Sequence, residues 1–217
     1  MFCVIEGLDG CGKSTQIERL KLYLSEKGSD FLQIKLPDYD SPSSSLVKMY
    51  LAGEFGKEAN DVNVYAASAF YAVDRFANYS LKWKNDYLSG KDILADRYTT
   101  SNAIYQIAKL PEEKWEDYLD WLRDFEYKKI GIPEPDKVIY LDMPVEISQI
   151  LMSKRYHGDE GKKDVHEKNV DFLNACRKAA LFTANKWNWK VINCACGDKP
   201  RTREDITKDI ISAFEEN

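Results

Sequence analysis

The stretch MFCVIEGLDGCGKST, residues 1–15, joins a short apolar segment to a glycine-rich loop that ends in a lysine and two hydroxyl residues. The first part, FCVIE at 2–6, is typical of a buried strand because it combines aromatic and β-branched side chains. The loop that follows, Gly7 to Ser14, fits the spacing G-x-x-x-x-G-K-[ST], in which backbone N–H groups surround a phosphate chain. A plain glycine turn with an exposed lysine is the alternative, but it requires neither a strand before it nor a helix after it.

The loop is expected to bind the phosphates of a nucleotide. Glycine adopts positive φ at little steric cost, so the loop can point its N–H groups inward. A helix that begins near Lys13 adds unpaired N–H groups and the positive end of its dipole. Lys13 supplies a charge to the terminal phosphates, and the Ser14 hydroxyl is a candidate Mg²⁺ ligand. The predicted nucleotide-binding residues are Gly7, Leu8, Asp9, Gly10, Cys11, Gly12, Lys13, Ser14 and Thr15.

The rest of the chain alternates between short apolar segments and amphipathic segments. Further strands are predicted at 31–36, 92–96, 137–143 and 189–194, and helices at 15–27, 41–53, 60 or 61 to 88, 99–109, 112–130, 165–186 and 203–215. Strands separated by helices predict an α/β fold with a five-stranded parallel sheet covered on both faces. Ligands of such sheets bind at the carboxyl ends of the strands. Those ends carry Glu6, Asp38, Asp96, Arg97 and Asp142.

Length, net charge and cysteine content limit the kinds of protein that this sequence can encode. The 217 residues suit one domain, 1–217, and the charged, glycine-interrupted segment KRYHGDEGKKD at 154–164 predicts a short mobile lid within it. The formal charge of −5 argues against binding of a nucleic acid polymer, and no apolar run approaches the length of a membrane span. The five scattered cysteines predict buried thiols rather than disulfides or a metal site. We therefore expect a cytoplasmic protein.

Several motifs, in order along most of the chain, resemble those of thymidylate kinases. They are IEGLDGCGKSTQ at 5–16, LPDY at 36–39, FYAVDR at 70–75, ADRYTTSNAIYQ at 95–106 and a basic segment near 154–163. The resemblance implies a homodimeric enzyme that transfers the γ-phosphoryl group of MgATP to thymidine monophosphate. A helical face at 61–88 with Val62, Tyr65, Ala69, Phe70, Val73 and Phe76 is the candidate dimer surface. Segment 112–130 is interpreted as scaffold.

The resemblance also implies roles for single residues at the phosphate end. Asp9 faces the sugar hydroxyl of the acceptor and orients basic groups. Asp96 holds Mg²⁺ through water, and Arg97 bridges the two phosphoryl groups. Some members carry a further catalytic arginine in the loop, where this chain has Gly10, so the lid residue Arg155 is expected to supply it. The predicted catalytic residues are Lys13, Arg97, Arg155 and Asp9.

At the other end of the acceptor, Tyr71 and Arg75 lie four residues apart on one helix face. The resemblance assigns Tyr71 to the ring under the thymine and Arg75 to its carbonyl edge, with Phe70 as the ring if the alignment shifts by one residue. Tyr105 packs under the sugar and crowds a ribose 2′-hydroxyl.

The chain departs from the family where many members have an arginine that grips the acceptor phosphate, because Tyr39 occupies that place. Asp38, Arg75 and Arg97 then define the acceptor site. The departure leaves open a kinase of the same fold with another nucleotide or deoxynucleoside as acceptor. An inactive nucleotide-binding regulator is the remaining alternative. A GTPase is disfavoured because the sequence has no N-K-x-D motif.

Overall fold

A parallel sheet forms the centre of the protein. The computed structural model describes residues 1–56, 61–155 and 169–216, without the side chains of residues 154 and 155. The strands of the sheet are β1 (Phe2–Gly7), β2 (Phe31–Lys35), β3 (Asp92–Asp96), β4 (Lys137–Asp142) and β5 (Lys190–Asn193). Their order is β2-β3-β1-β4-β5, and every neighbouring pair is parallel. The predicted five-stranded α/β fold is confirmed.

Helices connect the strands and cover both faces of the sheet. They are α1 (Lys13–Glu26), α2 (Ser45–Leu51), α3 (Val64–Asn78), α4 (Lys84–Leu88), α5 (Thr99–Tyr105), α6 (Trp115–Arg123), α7 (Val145–Arg155), α8 (Val170–Lys186) and α9 (Arg203–Glu215). Successive residues of β1 enter different apolar clusters, with Phe2 and Val4 on one face and Cys3 and Ile5 on the other. Burial of both faces explains why the central strand β1 is almost continuously apolar.

The register of the sheet places the ends of the three central strands together. Ile5 of β1 pairs with Asp96 at the end of β3, and Gly7 pairs with Leu141 of β4. The loop after β1 therefore leaves the sheet between the carboxyl ends of β3 and β4. A ligand of a doubly wound sheet binds in this type of crevice.

The helix predicted from 60 or 61 to 88 ends where predicted, at Leu88, but its start and its continuity are wrong. α3 begins at Val64, because the Asn63 side chain accepts hydrogen bonds from the N–H groups of Tyr65 and Ala66. A π-helical turn, Tyr79–Trp83, separates α3 from α4. The wider turn coincides with a 2.9 Å hydrogen bond from Trp83 Nε1 to Asn78 Oδ1.

The predicted apolar face of this helix is also narrower than expected. Val62 is buried within its own chain, and Phe70 is partly buried against the rings of Tyr50 and Phe55. Tyr65, Val73 and Phe76 remain exposed.

Other differences concern short elements. The segment predicted as helix 112–130 is a 3₁₀ turn, then α6, then a π-helical segment, Asp124–Ile130. An antiparallel hairpin of β6 (Ala195–Cys196) and β7 (Lys199–Pro200) follows β5. The hairpin escaped prediction because strands of this length show no alternation. Most of the predicted lid, 156–164, lies outside the described residues.

Candidate active site

The loop between β1 and α1 has the backbone that its glycines predict. Gly10 and Gly12 have φ values of 78° and 90°, in the left-handed region. A Cβ on Gly10 would lie 2.7 Å from Met152 Cγ, and one on Gly7 would lie 2.6 Å from Cys11 Sγ. The loop therefore needs glycine at position 10 for both its conformation and its contact with α7. Burial raises the pKa of the Cys11 thiol to about 11, so Cys11 adds no negative charge to the loop at neutral pH.

A cavity of about 480 Å³ opens beside this loop. One wall consists of Leu8 to Gln16, which includes most of the predicted nucleotide-binding residues. The opposite wall was missed by sequence reasoning and consists of Met143, Leu151, Met152, Pro200, Arg201, Arg203 and Ile206. Arg201 is held in place by Asn193 O and the Asp209 carboxylate, each at 2.7 Å. Met143, Leu151 and Met152 reach the loop from the end of β4 and from α7, and the connection from β5 to α9 brings the other four residues.

Lys13 and Asp96 form an ion pair between the loop and the end of β3. Lys13 Nζ lies 2.7 Å from Asp96 Oδ1, and their side chains are 11% and 6% exposed. The Ser14 hydroxyl lines the cavity, and the Asp96 carboxylate lies beside the loop on Lys13; both are hard oxygen donors. Mg²⁺ in nucleotide sites uses few protein ligands together with phosphates and water. This donor set fits Mg²⁺. Among the residues that the structure describes, no group of three or more His, Cys, Asp or Glu residues forms a complete metal site by itself.

Arg97 follows β3 in a backbone conformation that is unusual for an arginine. Its φ is 69°, and its N–H donates to Ile5 O at 3.3 Å. Its guanidinium lies 2.6 Å from Asp9 Oδ1, 3.7 Å from Glu6 Oε2 and 3.4 Å from the Tyr105 hydroxyl. Burial alone would lower the pKa of Arg97, but Tyr105, Asp9 and Glu6 raise it well above its ordinary value. The arginine therefore stays cationic.

A second cavity, of about 140 Å³, lies on the far side of Asp9. Asp9 lines both cavities. The other lining residues are Leu36, Pro37, Tyr39, Leu51, Tyr71, Arg75, Arg97, Tyr98, Ser101, Asn102, Tyr105 and Gln106. The structure thus brings together all the predicted acceptor residues except Asp38.

Arg75 reaches this cavity from α3 with its charge already paired. Glu126 accepts from Arg75 Nε at 2.6 Å and from Nη2 at 2.5 Å. Arg75 Nη1 lies 3.4 Å from Tyr98 O. Glu126 belongs to the segment interpreted as scaffold, and the structure brings it against Arg75, a predicted acceptor residue. No local pattern identifies an acid that pairs with an arginine 51 residues away.

Gln106, which sequence reasoning also missed, lines this cavity. Gln106 is buried, and its Oε1 has no hydrogen-bond partner among the described residues. Asn102 lies one helical turn earlier and lines the same cavity. Of the alternative rings, Tyr71 lines the cavity, whereas Phe70 packs against Tyr50 and Phe55. A planar ligand with an N–H group fits these surroundings.

Asp38 lies behind the cavity. Its Oδ2 accepts from Asn78 at 2.8 Å and from Lys82 at 2.5 Å, and its N–H donates to Asp74 at 2.9 Å. The Lys82 ammonium, with the Asn78 amide, lowers the pKa of Asp38 below its ordinary value. Asp38 thus anchors the Pro37–Tyr39 wall of the cavity to α3 and the π-helical turn.

Two further features concern the limits of the site. The side chain of Arg155 lies outside the described part of the chain, although α7 supplies Leu151 and Met152 to the wall of the first cavity. No described helix is both long and apolar enough to cross a membrane.

Comparisons with known proteins agree with this geometry. The thymidylate kinase of Fervidobacterium nodosum is 30% identical over 215 residues, which cover 99% of this chain and 98% of that protein. A probable thymidylate kinase of Thermococcus onnurineus is 30% identical, with 99% and 97% covered. The thymidylate kinase of Mycobacterium tuberculosis is 29% identical, with 88% and 91% covered. The family model for thymidylate kinase matches residues 5–206. With its phosphate loop, paired arginines and adjoining cavities, the chain belongs to the thymidylate kinase family.

Proposed function

We propose that this protein transfers the γ-phosphoryl group of ATP to thymidine monophosphate, producing ADP and thymidine diphosphate. One observation carries the proposal: a phosphate-loop cavity and a cavity lined by two arginines share Asp9 as a common wall. A donor and an acceptor bound in these cavities would meet at their phosphate ends, beside Lys13 and Arg97.

In the donor cavity, the loop residues Gly7 to Thr15 bind the triphosphate through backbone N–H groups and the amino end of α1. Lys13 contacts the terminal phosphates, in place of its present contact with Asp96. Ser14 and Asp96 would hold Mg²⁺, which offsets phosphate charge when it is bound. Arg155, at the end of α7, is proposed to supply a further cation from the lid.

In the acceptor cavity, the polar groups match the edge of thymine. Arg75 offers only N–H donors, which suit the O4 carbonyl, and Gln106 Oε1 is an unpaired acceptor for N3–H. Cytosine presents an amino group and an unprotonated nitrogen at these places, so both contacts would be lost. Tyr71 provides a ring for the base, and Tyr105 lies where the sugar would pack.

The transfer itself needs no covalent enzyme intermediate. An oxygen of the acceptor phosphate attacks the γ-phosphorus, the bond to the β–γ bridging oxygen breaks, and ADP leaves with the electron pair. Because both substrates are polyanions, the principal task of the site is to offset their charge. Lys13 and Arg97 are partly buried cations, with side chains 11% and 16% exposed, and would lie where the phosphates meet. Asp9 orients Arg97 and would accept from the sugar hydroxyl.

Two further proposals concern the state of the protein. The exposed Tyr65, Val73 and Phe76 on α3 support a homodimer formed through this face. All five cysteines are free thiols, and four are buried, which supports a reducing location such as the cytoplasm.

The direct test is an ADP-release assay with ATP, Mg²⁺ and a panel of acceptors: thymidine, deoxyuridine, deoxycytidine, cytidine and uridine monophosphates, and thymidine. We expect the highest kcat/KM with thymidine monophosphate. A clear preference for a cytidine or uridine nucleotide would overturn the assignment of the acceptor. Binding of ATP without turnover on any member of the panel would overturn the assignment of a kinase.

A further inference from the structure

Two glutamates, Glu6 and Glu126, are completely buried next to the acceptor cavity, although neither lines it. Glutamate is rarely buried without a partner, because an ionised carboxylate loses its hydration. Each of them faces one of the two arginines that line the cavity. Because burial of a carboxylate is costly and each glutamate faces an arginine of the cavity, we expect both glutamates to serve the site.

Glu126 engages Arg75 through two parallel hydrogen bonds, at 2.6 Å and 2.5 Å. This fork geometry fixes the plane and direction of a guanidinium, which a single contact does not. Two N–H groups are thereby fixed on Glu126, while other N–H groups of the guanidinium stay available to the cavity that Arg75 lines. Glu126 thus determines which donors of Arg75 face the base.

Glu6 lies beneath Arg97 at a longer distance, 3.7 Å from its guanidinium. It is held by the Gly7 N–H at 3.3 Å and sits within β1, whereas Asp9, the other acid on Arg97, belongs to the phosphate loop. A left-handed backbone at an arginine costs energy and persists only where its surroundings hold it. Two members of these surroundings belong to the rigid sheet: Ile5 O accepts from the backbone N–H of Arg97, and the Glu6 carboxylate faces its guanidinium.

The first turn of α5 links the two carboxylates. Thr99 Oγ1 donates to Glu126 at 2.8 Å, and Ser101 Oγ donates to Glu6 at 2.6 Å. These residues come two positions apart, directly after Arg97. The same turn therefore fixes the supports of both arginines.

We propose that Glu6 and Glu126 are positioning residues with separate tasks: Glu6 holds Arg97 for phosphoryl transfer, and Glu126 holds Arg75 for recognition of the base. The proposal rests on the proposed function. It gives the phosphate end and the base end of the acceptor site separate supporting residues. Loss of Glu6 should weaken contacts that strengthen in the transition state and so lower kcat, whereas loss of Glu126 should weaken binding of the base and so raise KM.

The test compares Glu6→Gln with Glu126→Gln in the full chain, with thymidine monophosphate varied at saturating MgATP. In metal sites, loss of a residue that orients a ligand typically lowers affinity or activity by about tenfold or more. By analogy, we expect Glu6→Gln to lower kcat at least about tenfold, with a much smaller change in KM. Glu126→Gln should raise KM at least about tenfold, with a much smaller change in kcat. Each variant controls for the other, because each removes one buried charge from an arginine. If the two glutamates only stabilise the fold, both variants should lower the melting temperature without one affecting mainly kcat and the other mainly KM. Such a result would overturn the proposal.

A second pair of variants covers the case in which the glutamine variants do not fold. Thr99→Val and Ser101→Ala remove the hydroxyls that donate to the carboxylates, and Ser101→Ala also removes a 3.4 Å contact with Arg97 Nη1. They should give the same split with smaller fold-changes. Calorimetric titration with thymidine monophosphate adds a readout without turnover: Glu126→Gln, or Thr99→Val, should weaken binding more than its partner variant does. Equal weakening would contradict the separate tasks. If the wild-type protein binds no thymidine monophosphate, the proposed function fails first; if it binds and turns over while the variants show no split, only the positioning roles fail.

Discussion

Lys13 and Arg97 each form an ion pair with an acid of the site. Lys13 bonds Asp96 at 2.7 Å, and Arg97 bonds Asp9 at 2.6 Å. Such pairs keep the cations oriented while the charges of both partners are offset. Phosphate groups that enter the cavities would take over these contacts.

Replacement of Lys13 by alanine should abolish most of the turnover. Removal of one preorganised group that offsets charge in a transition state costs about 100-fold or more in kcat. Lys21→Ala is a matched control on the same helix, because Lys21 bonds Glu18 near the surface, away from both cavities. Turnover assays and melting curves separate the loss of activity from a loss of fold. Near-normal turnover of Lys13→Ala would contradict the role of the loop.

Asp38 should make stability depend on pH. Its pKa is lowered in the folded state by Lys82 and Asn78, so its contribution is complete above the ordinary aspartate pKa of about 3.9 and is lost as the pH falls through the folded-state pKa. Wild type should exceed Asp38→Asn in free energy of unfolding by about 1 kcal/mol near neutral pH. Urea unfolding at a series of pH values should show this difference shrinking in acid. A difference that is independent of pH would rule out the ion pair as its cause.

At the scale of elements, two segments that the sequence predicts as ordinary α-helix are π-helical, which changes the direction of their side chains. π-helical segments occur at Tyr79–Trp83 and Asp124–Ile130, and the second carries Glu126. π-helical turns are rare overall, but those that occur are often found at functional sites. The loop of Gly7 to Ser14 also has a specific geometry, because it packs against α7 at Gly10.

A pair of glycine variants tests the contact between the loop and α7. Gly10 and Gly28 both have positive φ, 78° and 69°, but only at Gly10 would an added Cβ atom have neighbours within 4 Å. Gly28→Ala should cost about 1–2 kcal/mol of backbone strain. Gly10→Ala should cost more in urea unfolding and should also weaken the binding of a non-hydrolysable ATP analogue in calorimetry. Equal effects of the two variants would show that α7 does not constrain the loop.

At the scale of the whole molecule, the exposed apolar side chains on α3 predict association. Tyr65, Val73 and Phe76 are 45%, 50% and 47% exposed. Light scattering should give about twice the chain mass of 25.0 kDa for the wild type. Phe76→Glu should give the mass of one chain, because a buried unpaired charge opposes association. Leu22→Glu, on the outer side of α1, is the control and should stay dimeric. A wild-type mass of one chain would refute the dimer.

Much of the fold follows from local patterns. The strands, the phosphate loop and the closing helix α9 could be predicted because their signals lie in neighbouring residues: β-branched runs, glycine spacing and helix caps. The breaks in the long helices could not, since no motif in the sequence marks the π-helical segments where they occur. The same holds for Asp38, which the sequence places at the end of a strand and the structure turns towards Lys82.

The sequence by itself determined the glycine-rich loop after β1, the order of strands and helices, and the family, because each depends on residues in fixed spacing along the chain. Only the tertiary structure decided which acid faces which arginine, which of Phe70 and Tyr71 lines the cavity, and that residues 200–206 close the donor site. The physical reason is that a parallel sheet joins its strands by long crossovers. Side chains such as Arg75 and Glu126, 51 residues apart, meet only when the helices pack on the sheet.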